Sequence, residues 1–105
     1  LGNEPVRDWL RALSAAERKV IGDEIRTLQY GWPIGMPLVR KLQPALWEVR
    51  VRLDQRIARV LFTIVDDEAV LLHGFVKKSQ RLPMADLKTA VDRYKVLAVA
   101  VGRAR

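Results

Sequence analysis

At about Leu38 the spacing of apolar residues changes from three and four to two, and this change decides what the chain can fold into. Before it, Val6, Trp9, Leu10 and Leu13 fall at i, i+3, i+4 and i+7, one stripe of a helix. Asn3 can cap that helix, and Pro5 is tolerated in its first turn. Ser14-Ala15-Ala16-Glu17 has the spacing of a capping box and opens a second helix, with Val20, Ile21, Ile25 and Leu28 as its apolar stripe and Gly31 as its stop. Gly31-Trp32-Pro33-Ile34-Gly35-Met36-Pro37 carries too many breakers for a regular element and reads as an ordered loop pinned by Trp32.

After the switch, Leu38–Leu42, Ala45–Leu53, Arg56–Val65 and Glu68–Lys77 read as strands, with Asp54-Gln55 and Asp66-Asp67 as turns between the last three. Trp47, Val49, Val51 and Leu53 point to one face, Glu48, Arg50 and Arg52 to the other. A final helix over about 83–98 turns Leu87, Ala90, Val91, Tyr94 and Leu97 inward, and 99–105 reads as a frayed tail. The order α-α, β-meander, α predicts an α+β domain over residues 1–98, with the helices on one face of an antiparallel sheet.

The 105 residues suffice for one domain with a core, and half of them are hydrophobic. The chain has no cysteine and a single histidine, His73, which excludes disulfides, thiolate metal sites and any multi-histidine site within one chain. The longest apolar runs, such as Val96–Val101, are far shorter than a membrane span, and the expected location is the reducing cytoplasm. Nineteen lysines and arginines against twelve acids give a formal charge of +7, a balance suited to a polyanionic partner.

If the helices cover one face, the chemistry belongs on the other. Strand alternation places Glu48, Arg50, Arg52, Arg59 and Thr63 there, together with Ala69, Leu71, His73, Phe75 and Lys77, and with Arg56, Lys78 and Arg81 at the rim. Guanidiniums and ammoniums converging on one face suit a phosphodiester and the charge that develops on it in a transition state. RNA carries its own nucleophile, the 2′-hydroxyl, so cleavage needs a base, a cation and an acid but no metal or cofactor. Glu48 or His73 can act as the base; His73, Lys77 or Lys78 can act as the acid. Each also has a structural reading: Glu48 as a cross-strand ion pair with Arg50 and Arg59, His73 as a hydrogen-bonded structural residue, Phe75 as core.

The runs Pro37-Leu-Val-Arg-Lys-Leu42, Leu46-Trp-Glu-Val-Arg-Val-Arg52, Arg56-Ile-Ala-Arg-Val-Leu-Phe62 and Leu71-Leu-His-Gly-Phe-Val-Lys-Lys78, with the opening Asn3-Glu-Pro-Val-Arg-Asp-Trp-Leu10, resemble the phage-derived Gp49-like branch of the RelE/HigB/ParE toxin superfamily. The resemblance implies a RelE-like fold and the toxin of a type II toxin–antitoxin pair, an mRNA endoribonuclease acting on the ribosome. It implies catalytic roles for Glu48, Arg50, Arg59, His73 and Lys77, and RNA contacts from Arg52, Arg56, Lys78 and Arg81. The implied partners are mRNA on the ribosome, a cognate helix-turn-helix antitoxin from the same operon, and operator DNA through that antitoxin. Such toxins begin with a strand before the helical hairpin, whereas this chain starts almost at the helix, so either that strand is trimmed or the sheet lacks an edge that needs a partner. ParE-like relatives keep the fold but act on DNA gyrase, so the alternatives are a protein-binding toxin and an inactive antitoxin-binding domain.

Overall fold

The computed structural model describes residues 4–31, 39–77 and 81–104. Asn3, Trp32 and Lys78, and with them the proposed first cap, loop pin and one rim lysine, lie outside that set. Within it the chain forms α1 (Glu4–Arg11), α2 (Ala15–Gly31), β1 (Val39–Gln43), β2 (Leu46–Arg52), β3 (Ile57–Val65), β4 (Glu68–Lys77) and α3 (Met84–Ala104). The strands pair antiparallel in the order β1-β2-β3-β4, as expected of a meander. The β3–β4 turn carries two residues at positive φ that the sequence supports: Asp66 and Asp67, at 52° and 66°, give the paired left-handed conformation a two-residue hairpin requires.

Ser14 does cap α2. Its Oγ accepts from the Glu17 amide at 3.1 Å and its hydroxyl lies 3.2 Å from Glu17 Oε1. The other carboxylate oxygen of Glu17 pairs with Arg56, which fixes the α2 start to the β2–β3 turn. Ile21, Ile25 and Leu28 bury the inner face of α2; Val20, counted in that stripe, is exposed. With Val6 of α1 they pack on Val49, Val51, Ala58, Val60, Phe62, Ala69 and Leu71.

The helices do not all lie on one face. Leu46 and Leu61, which point away from the hairpin, join Leu72, Phe75 and Ala90 in a second core, packed by Leu87, Val91, Tyr94 and Leu97 of α3. The sheet is therefore sandwiched, with α1 and α2 on one side and α3 on the other. α3 also continues to Ala104, through the segment expected to fray.

Strict alternation fails at one place on β4. Leu61 pairs with His73 and Phe62 with Leu71, so Leu72 is the extra residue of a β-bulge. The bulge resets the alternation. Ala69 and Leu71 go to the hairpin core, not to the face of His73, Phe75 and Lys77 where unbroken periodicity placed them. The bulge also turns Leu72 toward α3, whose Arg93 Nη1 donates to the Leu72 carbonyl at 2.8 Å.

Two residues past the bulge, Gly74 lets α1 reach the sheet. A Cβ there would sit 2.3 Å from the Trp9 ring. Gly74→Ala should therefore cost at least the roughly 1–3 kcal/mol typical of overpacking. Urea unfolding should show this loss, and Trp9→Leu in the same chain should recover part of it.

The Glu17–Arg56 contact yields a pH dependence. Arg56 first, then Ser14, holds the Glu17 carboxyl below its ordinary value. A depressed folded pKa gives stability that is present above the ordinary carboxylate range and lost as pH falls through the depressed value. Thermal melts between pH 6 and pH 3 should show a shallower acid loss for Glu17→Gln than for the parent.

Candidate nucleic-acid interface

Sheet register builds the site. Arg40 (β1), Glu48 (β2), Leu61 (β3) and His73 (β4) form one row across the four strands. Arg50, Arg59 and Phe75 form the next row, and Arg52, Ile57 and Lys77 the third. Because side chains alternate, all three rows face the α3 side. The sequence pattern had brought Glu48, Arg50, Arg52, Arg59, His73 and Lys77 to one face, and they share it.

That face is not open throughout, because α3 covers part of it. Glu48 and Arg59 are completely buried. Glu48 Oε1 lies 3.0 Å from Arg50 Nε and 3.4 Å from Arg40 Nη2, and its Oε2 lies 3.6 Å from Arg59 Nη1. One carboxylate thus meets three guanidiniums from three strands. Burial is the main influence on Arg59, lowering its pKa; Glu48 opposes this, while Arg50 and Arg40 add to the lowering. A guanidinium keeps its proton even so, and Arg59 stays charged. Glu48, expected as a general base, is pinned and hidden: the cross-strand ion-pair reading describes it.

His73 is drawn under α3. Its Nε2 lies 2.7 Å from Asp86 Oδ1 and its Nδ1 3.2 Å from Arg93 Nη1. Arginine only donates, so Nδ1 accepts and Nε2 carries the hydrogen given to Asp86. The ring lies at 26° to Phe75 with centroids 5.6 Å apart, and the side chain is 17% exposed. Both ring nitrogens are engaged within the protein, and they clamp α3 to β4. Phe75 is core.

Among the described residues of this sheet face, the solvent-facing cations are Arg40, Arg50, Arg52 and Lys77, with Arg81 exposed beyond β4. Arg56 is held by Glu17 at the hairpin side and does not join them. Arg40, Asp86 and Arg93 were not identified from sequence. Asp86 and Arg93 are seven apart on a helix, hence on one face, which is a detectable signal. Among the described residues no three acidic or histidine side chains converge as metal ligands, and no helix is long and apolar enough to cross a membrane.

Removing Glu48 alone would leave three guanidiniums uncompensated around a buried position, at a cost of roughly 3–5 kcal/mol. Replacing both partners of the most buried pair, as in Glu48→Leu/Arg59→Met, should cost less than Glu48→Leu alone. Chemical denaturation of the two variants checks this order.

No curated protein shows significant similarity to the chain. The family model for phage-derived Gp49-like proteins (DUF891) matches residues 8–95, which include all three rows of the cationic face. Over that span the chain belongs to the Gp49-like family, a family associated with the toxins of toxin–antitoxin pairs, and so implies a cognate antitoxin as partner.

Proposed function

We propose that this toxin is an mRNA endoribonuclease acting on the ribosome in the cytoplasm, with the α3-side face of the sheet as its RNA-binding and catalytic surface. The observation that carries the reading is the buried Glu48 among Arg40, Arg50 and Arg59, on a face that Arg52 and Lys77 extend into solvent. Cations gathered on one surface and drawn together by an internal carboxylate support this reading, because guanidiniums suit phosphate oxygens.

In this reading the 2′-hydroxyl oxygen attacks the adjacent phosphorus, and the bond from phosphorus to the 5′-oxygen breaks. The products are a 2′,3′-cyclic phosphate and a free 5′-hydroxyl. Arg50 and Lys77 stabilise the charge that builds on the non-bridging oxygens; the 2′-hydroxyl proton passes to solvent water, and Lys77 gives a proton to the leaving 5′-oxygen and regains one from solvent. Glu48, Arg59 and His73 act from beneath: Glu48 holds the arginines in place, Arg59 adds to the positive field under them and His73 fixes α3. Arg52 and Arg81 contact flanking phosphates. A helix-turn-helix antitoxin silences the toxin by laying acidic residues on the same arginines, and operator DNA is reached through that complex.

Primer extension on mRNA from a translating lysate tests this. The wild-type protein should create discrete new 5′ ends, and a folded Arg50→Ala/Lys77→Ala variant should lose about 100-fold or more of that cleavage. A folded wild type that produces no new ends overturns the nuclease reading, and inhibition of gyrase supercoiling becomes the next assay.

A further inference from the structure

Arg40 and Arg50 approach the same oxygen of Glu48 from neighbouring strands. Each guanidinium carries five N–H donors in a rigid fork, and the single shared oxygen satisfies only a small part of them. The carboxylate has no exposed surface, whereas Arg50 is 30% and Arg40 53% exposed, so what this cluster shows to solvent is guanidinium. Three positive charges against one negative leave the group at +2 before any ligand binds.

We propose that Arg40 and Arg50 form a two-arginine clamp for one phosphodiester group of single-stranded RNA, and that buried Glu48 is the positioning residue that sets both forks. The identity of the polymer rests on the nuclease reading above; the clamp itself rests on the shared oxygen and on the exposure of both arginines. Two converging forks match the two non-bridging oxygens of a phosphodiester. Arg52, two residues along β2 and so roughly 7 Å away, repeats the positive charge, and Lys77 continues it two strands further along the same row, as suits a chain with one anion per monomer.

The test uses binding, separated from cleavage. A fluorescent single-stranded 2′-O-methyl oligoribonucleotide lacks the attacking hydroxyl and survives the enzyme. Its affinity for the full chain is measured by anisotropy across a potassium chloride series, for wild type, Arg40→Gln, Arg50→Gln, the double variant and Arg26→Gln. Arg26 is an exposed arginine of α2, on the other side of the sheet, and its variant removes the same charge. Arg40→Gln and Arg50→Gln should each weaken binding about tenfold and flatten the salt dependence by ~0.7, the contribution of one phosphate on a single strand. The double variant should lose less than the sum, because both arginines hold one group. Arg40→Lys, which keeps the charge without the fork, should recover only part of the loss.

Glu48→Gln gives the sharper readout: it makes the protein more positive, yet should weaken binding because the forks lose their shared anchor. The clamp is overturned if Arg40→Gln behaves like Arg26→Gln, or if a natively folded Glu48→Gln binds more tightly than wild type. It is also overturned if poly-glutamate binding depends on Arg40 and Arg50 while oligonucleotide binding does not. Should Glu48→Gln fail to fold, the Arg40 comparison decides alone. Arginine-dependent oligonucleotide binding without mRNA cleavage would support the clamp while the nuclease reading falls; cleavage with an indifferent Arg40→Gln would do the reverse.

Discussion

A carboxylate with no exposed surface, set among three guanidiniums, is the interaction on which the cationic face depends. Taking Glu48 and Arg59 out of water costs several kcal/mol per ion, and each would be untenable at its position without the other. The partners come from β1, β2 and β3, so the cluster exists only when all three strands are in register. It also sets the charge that the surface presents, since Glu48 draws Arg40 and Arg50 to one oxygen from below. An apolar core at the same place would leave the fold intact and the surface unorganised. This is the sense in which a costly buried charge specifies a structure without being needed for its stability.

Sandwiching of the sheet follows from two local departures on β4. The bulge at Leu72 turns one apolar residue to α3 and frees a carbonyl for Arg93, while Gly74 removes the one side chain that would hold α1 off the sheet. Both faces of a single strand are thereby prepared for helices within three residues. His73, between them, ties α3 down through Asp86 and Arg93, so the helix that completes the second core also roofs the site.

Much of this was legible in the sequence, and the failures share a cause. The strands β2 to β4, their turns and the inner stripe of α3 followed from periodicity and turn chemistry, because alternation on β2 and β3 is unbroken through Trp47–Leu53 and Ala58–Ile64. Bulges break that logic. On β4, one shifted Ala69 and Leu71 to the opposite face; between β1 and β2, the irregularity at Lys41/Gln43 puts Arg40 opposite Glu48. Counting back from the Pro44-Ala45 turn would pair Lys41 with Glu48; instead Lys41 pairs with Trp47 and its ammonium lies 5.3 Å from that ring. Burial of Glu48 and Arg59 was invisible for a different reason. Charged residues on a strand face read as solvated, and only the position of α3, a long-range fact, shows otherwise. The extension of α3 past Ala98 was hidden because a run of alanine, valine and glycine carries no decisive stop signal.

The sheet order has a kinetic meaning. Every strand pairs with its neighbour in sequence, across connections of two, four and two residues between Gln43 and Leu46, Arg52 and Ile57, and Val65 and Glu68. Closing such short loops costs little chain entropy, so the meander can assemble as a unit, one hairpin on the next, at a low contact order for a β-containing domain. Docking of α3 on β4 is also local, since α3 is the next element in sequence, whereas docking of α1 on β4 joins distant parts of the chain. The row of arginines and its roof therefore draw on one continuous stretch of chain, β1 to α3, and only the α1–α2 side of the sandwich waits on a long-range closure.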